Sequence, residues 1–355
     1  MTTLEKATLP RTSVTGFIQL ARLRFLLYNL LPVALGAAVA VHQGHALHLG
    51  WYVLAQVFAW TVHVMTHYCN EYFDLDADRA NMYFTPWTGG SRALVDGRVA
   101  PVVALGTAFL LWSVAHLLVV AMPSWPARLL ATVTVALAWF YTAPPARLNY
   151  RGLGELTVAA ILNGLWPAVA VVLQLGTVPG LLVAILLPTA VLQAARMMVM
   201  NLGDRRSDAT VGKRTLPVLV GYRRAVTVIV LAQPVAYLML TGFALAGWVP
   251  WLVWIPMMAT AVLSGWLVAQ LRGGAMRDLK PERMTPVVFW ASNHVSLVVA
   301  AAVLGVLLDT VAHPAGGRGT GVLGAVLTGY VVLFGYRLML ARRRATRDER
   351  QGAEN

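Results

Sequence analysis

Cysteine is nearly absent from this chain: Cys69 stands alone among 355 residues, so no internal disulfide can form and thiol redox chemistry gains no support. Charge is scarce too. Asp, Glu, Lys and Arg make up 12% of the sequence against 58% for hydrophobic residues, and mean hydropathy is +0.65. A single soluble core of this length cannot hide that much apolar surface, so the bilayer is the expected solvent. No N-terminal stretch resembles a cleavable leader. Lys6, Arg11, Arg22 and Arg24 precede a first apolar run of about spanning length without a small-residue cleavage site, which reads as a retained helix. Nor is there a basic domain: the net charge of +13 is spread over separate loops, which speaks against nucleic acid as a partner and for topology and attraction to anionic headgroups.

What is present in abundance is apolar sequence in runs near the spanning length. About ten occur, at residues 24–42, 51–71, 101–121, 126–142, 155–174, 180–200, 224–245, 249–271, 286–308 and 319–340. Basic residues then set the orientation, because short cytoplasmic loops retain Lys and Arg. With the N-terminus inside, the loops after the second, fourth, sixth and eighth runs hold most of the cations, and Arg342, Arg343, Arg344, Arg347 and Arg350 join them. Only Arg128 and Arg318 fall opposite, while Arg196 lies within a run. The expected fold is all-α: a polytopic transmembrane bundle of about nine to ten helices, its central cavity opening to the cytoplasmic side of the cell membrane. The expected divisions are a cytoplasmic segment 1–23, a transmembrane bundle 24–310, an additional C-terminal helix 311–341 and a basic cytoplasmic tail 342–355.

The few acids are concentrated. Of 15 carboxylates, Glu71, Asp74, Asp76 and Asp78 fall in "NEYFDLDAD", and Asp204 and Asp208 in "NLGDRRSD". On a helix Asn70, Asp74 and Asp78 share a face, with Glu71 beside Asp74 and Asp76 pointing elsewhere. Stacked carboxylates repel by a few tenths of a kcal/mol per pair even on an exposed helix (about 0.2–0.5), so a positive partner is expected. Magnesium suits carboxylate and amide oxygens that fill only part of its shell and leave the rest to water and phosphates. Asn201, Asp204 and Asp208 repeat the arrangement, followed by Lys213 and Arg214. An isolated phrase of this type is most often a charged helix end. Two, on the same predicted side with matching Asn residues, point to one metal–diphosphate site shared by two halves.

Two loops extend this reading. In "YTAPPARLNYRGLGEL", Pro144 and Pro145 stop the helix, and Arg147 and Arg151 offer cations beside close-approach glycines. In "TPWTGGSRALVDG", Gly89, Gly90, Ser91 and Arg92 supply amides and donors for a lid.

With these motifs the chain resembles the UbiA superfamily of intramembrane prenyltransferases over roughly residues 20 to 310. Asn70, Asp74 and Asp78 match the first family motif, NDxxDxxxD, with Glu71 in place of its second residue; Asp204 and Asp208 match the second, DxxxD. The combination of "YTAPPARLNYRGLGEL" and "NLGDRRSDATVGKRTLPV" is most similar to the dihydroxynaphthoate prenyltransferases of menaquinone synthesis, although "TGGSRALVDG" and the run beyond residue 310 depart from that branch. The resemblance implies a magnesium-dependent transfer from an allylic prenyl diphosphate donor to an aromatic acceptor. Asp74, Asp78, Asp204 and Asp208 would be catalytic and, with Asn70 and Glu71, hold metal. Asn70, Arg147, Arg151, Arg196, Asn201, Lys213, Arg214, Tyr141, Ser91 and Arg92 would bind diphosphate. Trp139, Phe140 and Trp166 would line a prenyl groove or pack between helices. His63, His67, Asn163, Asn293 and His294 would orient the acceptor or simply satisfy interhelical hydrogen bonds. A terpene cyclase on the same scaffold is the alternative, distinguished by turnover without an acceptor. A transporter would carry ions without prenyl diphosphate, and its acids would lie nearer the membrane midplane.

Overall fold

In the computed structural model, residues 12–313 and 318–353 are described, with side chains described to residue 340. The backbone is helical throughout, and the described residues contain no strand beyond two isolated bridges. Helix α1 spans Val14–Leu20, its N-terminus capped by the Ser13 hydroxyl, which accepts from the Gly16 amide at 3.0 Å. Arg22 then adopts a left-handed conformation (φ 45°), a 3₁₀ turn covers Leu23–Asn29, and α2 runs over Leu30–His42. The first apolar run is therefore two pieces rather than one uninterrupted helix from residue 24. Of the expected segment 1–23, residues 1–11 lie outside the described part.

Helix α3, Leu49–Phe73, is followed by the short α4, Leu75–Ala80. Then come α5, Pro101–Val120, and α6, Trp125–Phe140. The fifth run contains α7, Gly154–Ala160, a π turn at Ile161–Leu165, and α8, Trp166–Leu175. Pro167 has no N–H to bond back into the preceding turn, which accounts for the local widening. Helix α9, Gly180–Thr210, is followed by α10, Leu216–Val220, and α11, Tyr222–Leu245. The sequence ends with α12, Trp251–Ala259, α13, Ala261–Arg272, α14, Pro281–Ala312, and α15, Thr320–Ala353.

Every one of the ten apolar runs is helical. Among the described residues, eight segments are both long and apolar enough to cross a bilayer; Leu49–Phe73 carries more polar residues, and Trp125–Phe140 is shorter. Buried on all sides from Leu31 to Val41, α2 forms the axis of the bundle against α3, α8, α14 and α15. At Gly36 the α8 backbone comes so near that an added Cβ would lie 2.3 Å from the Pro167 carbonyl oxygen. Outward-facing Val102, Leu110, Leu117, Leu238 and Val262 give the bundle an apolar exterior suited to lipid. Helix α15 continues beyond residue 341 to Ala353, so the expected tail 342–355 is helical over most of its length. Residues 354 and 355 lie outside the described part.

Candidate active site

The two acidic phrases meet at one end of the bundle, because α4 packs against the end of α9. Backbone bonding carries through the junction of α3 and α4: the Asp74 amide donates to the Asn70 carbonyl at 2.8 Å and the Asp78 amide to the Asp74 carbonyl at 2.9 Å. Asn70, Asp74 and Asp78 thus stay in register across a kink, and all three line a cavity of about 180 Å³. Asn201 and Asp204 line it from α9, and Arg196, Tyr141, Lys213 and Arg22 add to the polar wall. Asp76 points away, exposed and 3.6 Å from Arg79.

Lys213 joins the phrases, its ammonium 2.9 Å from Asp74 Oδ2 and 3.4 Å from Asp208 Oδ1. Burial opposes its charge, but Asp74 and Asp208 outweigh that and hold its pKa well above the usual lysine value. Asp74 Oδ2 also accepts from Asn70 Nδ2 at 2.7 Å and Asn149 Nδ2 at 3.4 Å. By contrast, Asp74 Oδ1 and Asp208 Oδ2 are buried without a hydrogen-bond partner. Each phrase therefore keeps one carboxylate oxygen unengaged, an arrangement that leaves a desolvated acceptor to be satisfied. Among the described residues, no three Asp, Glu, His or Cys side chains converge on one point as in a closed structural zinc site. Sparse carboxylates with free oxygens instead fit an ion that keeps water and phosphate in its shell.

The glycine-rich segment forms part of the wall. Trp87, Thr88, Gly89 and Gly90 line the cavity, and Asn81 donates to Asp204 Oδ1 at 2.7 Å. Gly90 has φ +76°, and a Cβ there would be 2.1 Å from Asp78 Oδ2, so only glycine allows this approach. Burial, then repulsion from Glu71, raises the Asp78 pKa well above the ordinary aspartate value.

Several expected site residues do other work. Arg22 donates through Nε to Glu71 Oε1 at 2.8 Å and pairs with it again through Nη2. Ser91 gives its amide to Oε1 at 2.7 Å and its hydroxyl to Oε2 at 2.8 Å. Both Glu71 oxygens are thus occupied and the side chain is outside the cavity lining: here it clasps the glycine-rich segment to α3. The same contacts turn Ser91 from diphosphate. Arg92 donates to the Asp78 carbonyl and lies over the Phe84 ring at 4.5 Å. Arg147 stacks on Tyr150 at 3.6 Å, Arg151 donates to the Pro145 carbonyl at 2.9 Å, and Arg214 is exposed. None of these four arginines lines the cavity. Their backbone is nonetheless tied to the site, as the Arg214 amide donates to the Tyr150 carbonyl at 3.3 Å. Asp208 lies behind Lys213 rather than in the lining.

Arg22, Asn81, Asn149 and Glu155 escaped the sequence reading. Glu155 accepts from Asn201 Nδ2 at 2.8 Å and the Leu216 amide at 3.0 Å, anchoring the third loop to the second acidic phrase. Its position in "GLGEL", the one acid of that loop, was the available signal. Arg22 carried none beyond charge. Arg196 is buried, donates to the Ser292 hydroxyl at 3.2 Å, and lies 5.6 Å from the Tyr28 ring. Asn293 donates to the Phe289 carbonyl at 2.8 Å, and His294 pairs with the Tyr237 hydroxyl at 2.8 Å. Both are satisfied between helices, whereas His63 and His67 reach the cavity.

Residues 29–281 match the UbiA prenyltransferase family. The chain belongs to that family. As such it is a membrane-embedded enzyme of the prenyl-transferring type. It is 27% identical over 254 residues to the 1,4-dihydroxy-2-naphthoate octaprenyltransferase of Bacillus subtilis, an alignment covering 70% of this chain and 80% of that one. It is 30% identical over 206 residues to the digeranylgeranylglyceryl phosphate synthase of Natronomonas pharaonis, covering 56% and 68% respectively. Its fold is similar to that of a UbiA homolog from Archaeoglobus fulgidus bound to GPP and Mg2+, with TM-score 0.52 and 17% identity across 81% of this chain and 99% of that one. Membership in the UbiA family agrees with the resemblance drawn from the two acidic motifs.

Proposed function

We propose that this UbiA-family enzyme transfers a prenyl group from an allylic diphosphate to an aromatic, hydroxyl-bearing acceptor, with magnesium as the required ion, at the cytoplasmic face of the cell membrane. The observation that carries the metal and diphosphate assignment is the pair of unengaged buried oxygens, Asp74 Oδ1 and Asp208 Oδ2, on either side of Lys213. Asp74, Asp78, Asp204 and Asp208, with Asn70, would hold the ion; when bound, it neutralises diphosphate charge and assists departure of the leaving group. Lys213 and Arg196 place further positive charge in the same cavity, aimed at the charge that develops on the leaving oxygen. Arg147, Arg151 and Arg214, outside the cavity lining, attract the anionic donor rather than clasp it. Ile161, Leu162, Met197 and Met200 give the cavity its apolar wall, which keeps water from the allylic cation until the acceptor attacks.

Sidedness rests on the loop cations, and the active-site loops share that side with the N-terminus. The aromatic acceptor is supported by the naphthoate-specific relative and by Phe25, Trp87 and Trp166 around the cavity. The decisive assay pairs Asp74→Ala and Asp208→Ala with the unaltered enzyme. Product formation should fall by at least about a hundredfold in each, while both proteins remain folded by thermal unfolding in detergent. Near-normal turnover in both variants would sink the metal assignment.

A further inference from the structure

We infer that His63 and His67 form a subsite that accepts hydrogen bonds from the hydroxyl groups of the aromatic acceptor, an inference that rests on the prenyl-transfer reading. The two residues are four apart on α3, so they share a face, and their rings lie 4.4 Å centroid to centroid. Both line the cavity that holds Asn70 and Asp74. His67 stands three residues, about 4.5 Å of axial rise, on the membrane side of Asn70.

Hydrogen-bond partners fix the tautomer of each ring. His67 Nδ1 is 2.8 Å from the Ala21 carbonyl oxygen, which only accepts, so that nitrogen carries the proton. Asn29 Nδ2 donates to the Ala59 carbonyl at 3.0 Å, which directs Asn29 Oδ1 toward His63 Nδ1 at 2.6 Å. His63 is therefore also protonated on Nδ1. In each neutral ring the remaining nitrogen, Nε2, offers a lone pair, and neither has a partner among the described residues. Two bare acceptors in one cavity call for a ligand that donates, which favours hydroxyls over carboxylate or phosphate oxygens at this point.

The surroundings specify a flat ring. Trp166 is 5.4 Å from His63, Phe25 is 5.8 Å from His67 in an edge-on arrangement, and Trp87 is 5.6 Å from Phe25. Offset and edge-to-face contacts of this kind hold aromatic ligands. The Trp166 indole N–H is buried and likewise unpartnered. A hydrocarbon-forming cyclase has no use for this set of polar groups, whereas a phenolic acceptor uses all of them.

The test is equilibrium binding of 1,4-dihydroxy-2-naphthoate and its di-O-methyl ether to the purified full-length protein in detergent. Asparagine places an amide where Nδ1 stood, so His63→Asn and His67→Asn keep the bonds to Asn29 and Ala21 while deleting Nε2. Glutamine at each position returns an acceptor near the Nε2 site. The unaltered protein should bind the diol tighter than the ether. Each Asn variant should lose about threefold to tenfold of the diol affinity, the Gln variants should recover part of it, and binding of prenyl diphosphate with magnesium should stay within twofold. Equal affinity for diol and ether in the unaltered protein, or Asn variants that retain the preference, would overturn the subsite. If the diol binds as described yet no prenylated product forms, the subsite stands and the transfer reading fails.

Discussion

At the residue scale, the site is organised around Lys213, whose ammonium is held between Asp74 and Asp208 at 2.9 and 3.4 Å. Removing one member of a buried ion pair costs about 3–5 kcal/mol, because the partner charges stay desolvated. Lys213→Met should therefore lower thermal stability in detergent and reduce turnover by about a hundredfold; an unchanged melting temperature would argue against the pair. Asp78 makes a pH prediction. Its folded pKa is raised, first by burial and then by Glu71, so its carboxyl keeps its proton to higher pH than an ordinary aspartate. The ionised form needed for metal is present above that raised pKa and lost as pH falls through it. Apparent magnesium affinity should thus weaken on acidification with a midpoint above about 4, and Asp78→Asn should change the position of that limb. Spacing alone revealed Asn70, Asp74 and Asp78 as one face. The fate of Glu71 was illegible, since its partners Arg22 and Ser91 come from 49 residues before it and 20 after it.

Elements follow the same logic of close approach. The crossing of α2 and α8 depends on Gly36, where an added Cβ would meet Pro167 O at 2.3 Å and Ala170 Cβ at 2.9 Å. Backbone cannot give way cheaply, so Gly36→Ala should destabilise by about 1–3 kcal/mol. Gly106→Ala, with nothing near its Cβ position, should be neutral or stabilising in the helix of α5. Comparable melting temperatures for the two variants would contradict this account of the crossing. Hydropathy located the helical runs because a spanning segment must satisfy its backbone internally while facing lipid. It missed the break at Arg22 and the kink at Asp74, because both depend on partners distant in sequence. The left-handed Arg22 turns its guanidinium onto Glu71, and Asp74 ends α3 among Lys213, Asn149 and Asn70.

For the whole molecule, the bundle brings two acidic phrases from different helices to one end of an apolar body. Charge asymmetry predicts that this end faces the cytoplasm. In a Cys69→Ala background, cysteines placed at Asp96 and Asp278 should react with an impermeant thiol reagent only in inverted vesicles. Cysteines at Ser124 and Trp248 should react only in right-side-out ones, and the reverse pattern would overturn the orientation. The central claim is that ionisation of a prenyl diphosphate here is coupled to capture by an aromatic ring. Mass spectrometry of products from the purified enzyme, magnesium and a panel of prenyl diphosphates, with and without dihydroxynaphthoate and other phenols, tests it most directly. A prenylated aromatic formed only when the acceptor is present is the expected result. A terpene hydrocarbon or alcohol formed equally well without acceptor would contradict it.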